Sequence, residues 1–274
     1  MNKKVLSTII LVMFLAIFSY SGYQLYLIYH NYHVAEVEYD NLVEQYVVVP
    51  TAAPAEQEKV ADAPVAEEPY PPLTIDFTAL SAVNADIVGW LYLESCDINY
   101  PIVQGTDNEY YLYRTFEKQS NSCGSIFMDN RNLPDFYDYN TFLYGHNMKN
   151  GSMFGKLKDL YREEGLCDKD PYFYIYLADG EVLKYRIFSY YITTDVSDSY
   201  NFIKDDAGYD AYVKTAKSRS SYKSTLNSDE YEEALQNRCT LVTLSTCSGP
   251  TNGNQRFLVH GVCVENFHRD LGSE

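Results

Sequence analysis

The sequence predicts a mainly β domain, an eight-stranded barrel with helical insertions, behind one N-terminal transmembrane helix. Residues 5–23 form a nearly charge-free apolar run. From Leu73 onward, short runs of alternating apolar and polar residues are broken by Gly, Asn and Asp. The chain also holds 28 Tyr and 13 Phe, and aromatic side chains favour the pleated, half-buried surface of a strand.

Residues 1–30 read as a cytoplasmic stub and membrane anchor. As a helix, VLSTIILVMFLAIFSYSGY would be roughly 30 Å long, the thickness of a bilayer's hydrocarbon core. Lys3 and Lys4 precede it and no Lys or Arg follows until Lys59, so the positive-inside bias keeps the N-terminus cytoplasmic and places the rest outside the cell membrane as a single-pass protein. The length of the run, with no convincing small-x-small cleavage site before Gln24, favours an uncleaved anchor over a signal peptide.

Residues 31–72 read as an extracytoplasmic stalk or linker. Val34, Val37, Leu42 and Val43 mark one face of a helix continuing through residues 30–49. Residues 50–72, PTAAPAEQEKVADAPVAEEPYPP, have too few large apolar side chains to fold. They would either hold the domain off the bilayer or serve as a passive linker.

Residues 73–268 form the folded domain, and 269–274 a C-terminal tail. Strands are expected at 87–93, 99–104, 125–128, 141–146, 172–177, 182–193, 240–246 and 256–264, and helices at 77–83, 109–115, 154–161 and 207–218. Eight short strands with interspersed helices suit a closed or nearly closed barrel, which removes exposed sheet edges.

The formal charge of -17 argues against a nucleic-acid partner, since binding phosphates requires clustered Lys and Arg. The six cysteines fall outside any CxxC spacing, which supports neither a zinc site nor a disulfide scaffold. The acidic residues of 205–210 read as a solvated loop rather than a cation site.

The chemistry concentrates in three segments. In TLVTLSTCSG, residues 240–249, strand alternation turns Val242 and Leu244 towards the core. Cys247 is left at the strand end on the more polar side, either an accessible thiol or a small packing residue. In NTFLYGHNM, residues 140–148, His146 follows an apolar strand and a glycine. A histidine beside a thiol would stabilise a thiolate–imidazolium pair. In NQRFLVHG, residues 254–261, Arg256 opens the strand after the Cys247 loop. If the two strands are antiparallel, Arg256 returns near Cys247, where its directed donors suit an oxyanion; otherwise it is a rim salt-bridge residue. His260 competes with His146, but its apolar surroundings in FLVHGVCV read as a core strand.

The segment Thr243-Leu244-Ser245-Thr246-Cys247 resembles the nucleophile motif TLxTC of the sortases, a family of cysteine transpeptidases. Tyr144-Gly145-His146-Asn147 and Gln255-Arg256-Phe257 match the family's histidine and arginine segments. NADIVGWL at 84–91, NYPIVQGTDNEYYL at 99–112, GSIFMDNRN at 124–132 and YGHNMKNGSMFGKL at 144–157 extend the resemblance to class B, over about residues 74–266.

That resemblance implies an eight-stranded sortase-type barrel with a helix between its sixth and seventh strands, at 207–218. It also implies cleavage of a C-terminal sorting signal after threonine in a secreted protein. Cys247 would form the thioacyl enzyme, His146 would move the proton and Arg256 would hold the oxyanion. Thr246, Ser245 and Asn147 would bind substrate, with Thr246 alternatively orienting Arg256 or serving only as a β-branched strand residue. The acceptor would be an amine of a peptidoglycan precursor or a pilin lysine. The chemistry that the resemblance implies needs no metal and no organic cofactor. A hydrolytic cysteine peptidase and a membrane-tethered module that binds sorting signals without cleaving them are the rival readings.

Overall fold

The computed structural model describes residues 3–48, 73–223, 228–248 and 253–268. Helix α1 runs unbroken over Lys3–Tyr46. Its N-terminal part is long and apolar enough to cross a membrane, and none of that stretch is buried against the rest of the chain. The last turns behave differently. Ala35, Glu38, Tyr39 and Leu42 are buried, and their spacing puts them on one helix face.

That face corrects the expected one. Leu42 and Val43 do pack on the domain, but Val34 and Val37 point to solvent. Their places are taken by Glu38 and Tyr39, whose polar tips find buried partners. The Tyr39 hydroxyl lies 2.8 Å from the Gly124 carbonyl, and the Glu38 carboxylate accepts the Glu117 N–H at 2.9 Å.

Strand β1 (Val47–Val48) follows at once and pairs antiparallel with β2 (Thr74–Ile75), Val47 opposite Ile75 and Val48 opposite Thr74. Most of the expected stalk, 49–72, lies outside the described residues, as does the tail 269–274. The strands flanking 49–72 are hydrogen-bonded neighbours. Residues 31–46, expected within the stalk, are helix. Helix α2 (Phe77–Val83) follows, its first turn capped by Asp76, which accepts the Ala79 N–H at 2.9 Å.

All eight expected barrel strands are present with ends moved by a few residues: β3 (Ile87–Leu93), β4 (Ile98–Val103), β5 (Ile126–Met128), β6 (Asn140–Tyr144), β7 (Tyr172–Tyr176), β8 (Glu181–Thr194), β9 (Leu241–Cys247) and β10 (Gln255–His268). They close in the order β10-β8-β7-β3-β4-β5-β6-β9, with β9 pairing back onto β10. Two pairings are parallel, β4 with β5 and β6 with β9. The second of these matters for function, because it brings the C-terminal ends of β6 and β9 to one rim. The antiparallel β8–β10 and β9–β10 ladders add the end of β8 and the start of β10 to that rim.

Trp90, Phe142, Phe173 and Phe257 are among the largest fully buried side chains. A second apolar layer lies where α5 (Asp206–Arg219) and α6 (Asp229–Gln236) cover the outer side of β8, β9 and β10. Both faces of β9 are therefore buried. Helix α5 occupies the expected place between the sixth and seventh barrel strands. The acidic residues at its start are not a loose loop. Asp205 caps α5 through the Gly208 N–H at 2.7 Å, and Asp210 pairs with Arg238 at 2.8 Å.

The other expected helices are shorter. Residues 109–115 contain one 3-10 turn, Tyr111–Tyr113, and 154–161 contribute only the start of α3 (Asp159–Arg162). Gly155 explains the second, since a Cβ there would meet the Met148 carbonyl oxygen at 2.6 Å. The chain at this point turns tightly against its own backbone. The short helix α4 (Leu166–Lys169) and α6 carry too few apolar positions to announce themselves in the sequence.

Candidate active site

Cys247 is the last residue of β9, directly opposite Arg256 of β10 across the antiparallel ladder. His146 follows β6 by one glycine, on the same rim. All three line one cavity of about 920 Å³, together with Asn147, Ser245, Thr246, Leu112, Tyr113, Lys149 and Asp195. The six residues assigned to the site from the sequence, Cys247, His146, Arg256, Thr246, Ser245 and Asn147, all line this cavity. A smaller cavity of about 330 Å³ beside α5 has neither cysteine nor histidine in its lining.

Gly145 makes the turn into His146 possible. A Cβ at this position would lie 2.5 Å from Ile126 Cδ1 and 2.7 Å from the Phe154 ring, so any side chain would push the histidine off the rim. The turn is tied to β9 twice. The Gly145 N–H donates to the Ser245 carbonyl at 3.2 Å, and the Thr246 hydroxyl donates to the Gly145 carbonyl at 2.7 Å. That bond uses the Thr246 proton internally. The Ser245 hydroxyl is likewise paired, with Tyr200 at 2.7 Å.

His146 Nε2 lies 2.7 Å from the Leu112 carbonyl oxygen. A carbonyl only accepts, so Nε2 carries the proton and Nδ1 is left as the basic nitrogen of the neutral ring. Burial pushes the His146 pKa down, and the Leu112 carbonyl partly opposes this. The resting imidazole is accordingly neutral at pH 7. Burial thus works against the imidazolium half of the thiolate–imidazolium pair expected from the sequence, and the Leu112 carbonyl works for it.

Arg256 is held by its own loop and by one carboxylate. Nη1 donates to the carbonyls of Gly253 at 2.9 Å and Gln255 at 3.0 Å, and Nη2 to Asp195 at 3.2 Å. It is both a cavity residue and a salt-bridge residue, so the two sequence readings coincide. Asp195 follows β8 and is 61 positions from Arg256, and only the β8–β10 ladder brings it near. Asp195 lies outside every motif segment, and Leu112, the last residue of the 99–112 segment, acts through a backbone carbonyl that its side chain does not signal. The amine of the buried Lys158 is pushed down by burial and by the nearby Arg162 charge.

The six cysteines are free thiols. Cys96, Cys123 and Cys167 are buried and their thiols pushed up to about 12 by desolvation. Cys263 is raised to about 11 by the same cause. Cys247 is the cysteine that lines the cavity. His260 is fully buried, with Nδ1 3.0 Å from the Thr243 hydroxyl. Its Nε2 has no partner among the described residues, and burial drives its pKa to about 3. It is a neutral core histidine, as its apolar surroundings implied, although only half satisfied.

Residues 91–264 match the sortase domain model. Sortase B of Listeria monocytogenes is 34% identical over 174 residues, covering 61% of this chain and 65% of that protein. The match thus spans slightly less than two thirds of that relative's length. Sortase B of Staphylococcus aureus is 36% identical over 173 residues, covering 62% of this chain and 67% of the relative. The structure of a Staphylococcus aureus sortase B–substrate complex superposes with a TM-score of 0.60 at 30% identity, covering 69% of this chain and 84% of that one. Barrel, rim and matched sequence agree, and the chain belongs to the sortase family, in its class B branch.

Proposed function

We propose that the protein is a membrane-anchored cysteine transpeptidase that cleaves a C-terminal sorting signal after threonine and passes the acyl group to an amine. The observation that carries this reading is the opposition of Cys247 and Arg256 across β9–β10 in the cavity that also holds His146. The sortase B–substrate complex among the similar structures supports it by analogy.

In this mechanism Cys247 Sγ attacks the threonine carbonyl carbon while its thiol proton passes to His146 Nδ1. The carbonyl oxygen gains the electron pair and is held by Arg256, whose planar guanidinium offers directed donors. Collapse of the tetrahedral intermediate breaks the C–N bond, and the His146 imidazolium returns the proton to the leaving amine. An incoming amine then attacks the thioester, gives its proton to His146 and releases the Cys247 sulfur. The Leu112 carbonyl bonds Nε2–H throughout and fixes which nitrogen does this work. Thr246 acts by holding the turn at Gly145, while Ser245 and Asn147 shape the substrate wall.

Helix α1 anchors the protein in the cell membrane with Lys3 and Lys4 on the cytoplasmic side and the barrel outside. The apolar run ends at Tyr23 and the docked part of the helix begins near Asn31, a rise of roughly 12 Å. The barrel therefore works close to the bilayer. The acceptor is a peptidoglycan-precursor amine, or a pilin lysine if the enzyme polymerises pilins. Incubation with a sorting-signal peptide, with and without an amine acceptor, tests the proposal. Acyl transfer to the amine supports it. Release to water alone in both cases would indicate a hydrolytic peptidase, and binding without cleavage a tethered binding module.

A further inference from the structure

The docked end of α1 reaches the histidine through a short chain of contacts. The Tyr39 hydroxyl is buried and lies 2.8 Å from the Gly124 carbonyl and 3.2 Å from Ser125 Oγ, while it accepts the Phe116 N–H at 3.2 Å. Gly124 adopts a positive φ of 59° and backs directly onto the neighbouring strap. A Cβ there would lie 2.6 Å from the Leu112 carbonyl oxygen. That oxygen is the one that accepts His146 Nε2–H at 2.7 Å. The same strap is closed by Ser125 N–H to the Tyr111 carbonyl at 3.0 Å, Asn121 N–H to the Tyr113 carbonyl at 3.0 Å and Ser125 Oγ to the Arg114 carbonyl at 2.8 Å.

A second contact path leaves from the ring of Tyr39. It packs edge-on against Tyr100, with centroids 5.2 Å apart, and the Tyr100 hydroxyl accepts the Met153 N–H at 3.2 Å. Met153 bridges Asn147, the residue after His146, and the next residue, Phe154, donates its N–H to the His146 carbonyl at 3.0 Å. One side chain of the anchor helix thus supports the histidine from both sides.

We propose that Tyr39 is a positioning residue for His146, acting through Gly124 on the Leu112 carbonyl, so that the membrane helix and the proton-transfer group form one mechanical unit. The proposal that this affects catalysis rests on the transpeptidase reading, but the positioning itself does not. Removing the hydroxyl frees Gly124 and Ser125 to shift, the Leu112 carbonyl loses its backing, and the His146 tautomer is less firmly held. Packing of the ring is retained in Tyr39→Phe, so this variant separates the hydroxyl's role from that of the helix face.

The test uses the full chain in detergent, with selectively labelled histidine, in wild type, Tyr39→Phe, Gly124→Ala and the packing control Leu42→Ala. Nitrogen NMR reads the tautomer, pKa and Nε2–H exchange of His146, and peptide cleavage reads kcat and KM. In Tyr39→Phe we expect faster Nε2–H exchange, a His146 pKa moved further down, and kcat lowered about tenfold with KM changed less than about twofold. Gly124→Ala should do the same more strongly. Leu42→Ala should lower the melting temperature while leaving the His146 signals unchanged. Wild-type His146 signals in Tyr39→Phe and Gly124→Ala, or equal changes in Leu42→Ala, would overturn the proposal. Altered His146 signals in a protein that cleaves no sorting peptide even as wild type would uphold the positioning and reject the transpeptidase reading instead.

Discussion

Arg256 stands directly opposite Cys247 on adjacent antiparallel strands, and its guanidinium is tied down by Gly253, Gln255 and Asp195. A donor group held this way loses little freedom when charge develops on a nearby carbonyl oxygen. Such preorganisation is the main source of electrostatic catalysis.

We therefore expect Arg256→Ala and Arg256→Lys each to slow acylation by roughly a hundredfold or more, on the order of 3 kcal/mol, with peptide KM nearly unchanged. Lysine keeps the charge but not the planar fork. Single-turnover kinetics decide the matter. Near-normal acylation in the lysine variant would mean that charge alone suffices, and in the alanine variant that Arg256 lies outside the mechanism.

Asp195→Asn should have a smaller effect. The pair is partly exposed, with 23% of the Arg256 side chain and 41% of that of Asp195 accessible, so the ion pair contributes at most about 1 kcal/mol. We expect kcat/KM to fall by about fivefold or less, measured by the same peptide assay. A loss matching that of Arg256→Ala would instead place Asp195 in the chemistry itself.

Cys247→Ala should abolish acyl-enzyme formation with the fold intact, because the residue ends a strand and leaves almost no cavity in the core. A thiol reagent at neutral pH should label Cys247 first, since burial raises the pKa of each of the other five thiols. Intact mass and peptide mapping give the order of labelling. An acyl adduct on any other cysteine would contradict the assignment.

His260 makes the fold acid-labile. Its pKa is about 3 in the folded protein and about 6.5 in the unfolded chain, so the unfolded state takes up the proton first as pH falls. The stabilisation is complete above about pH 6.5 and is lost progressively down to about pH 3. Between about pH 7.5 and pH 5 the wild type should lose about 2 kcal/mol more than His260→Gln. Urea unfolding at the two pH values measures the difference, and equal losses would show that His260 is not the group responsible.

Deleting residues 1–30 should give a soluble, active protein, because the contacts of α1 with the barrel begin at Asn31. Deleting 1–46 removes Tyr39 and Leu42 from the core and should cost about 4 kcal/mol, at roughly 2 kcal/mol per buried large side chain. Thermal melts compare the two. Equal stability would mean that the helix contacts seen here contribute nothing.

Strand periodicity in the sequence was enough to locate all eight barrel strands, because side chains that alternate between two buried or half-buried faces leave a period-two pattern. The segments ending in Cys247, His146 and Arg256 were legible for a related reason: each is a strand end where a reactive residue interrupts that pattern. Sequence by itself thus determined the fold class, the family and the three rim residues. What only the tertiary structure decided depends on contacts between distant segments. Asp195 meets Arg256 through the β8–β10 register, and the Leu112 carbonyl chooses the His146 tautomer through a backbone atom that no side-chain identity encodes. The neutral state of His146 follows from burial, which belongs to the assembled cavity rather than to the residue. The docked face of α1 escaped prediction because Glu38 and Tyr39 read as solvent-facing until Glu117 and Gly124, nearly 80 or more positions away, supply the partners that make burying them favourable.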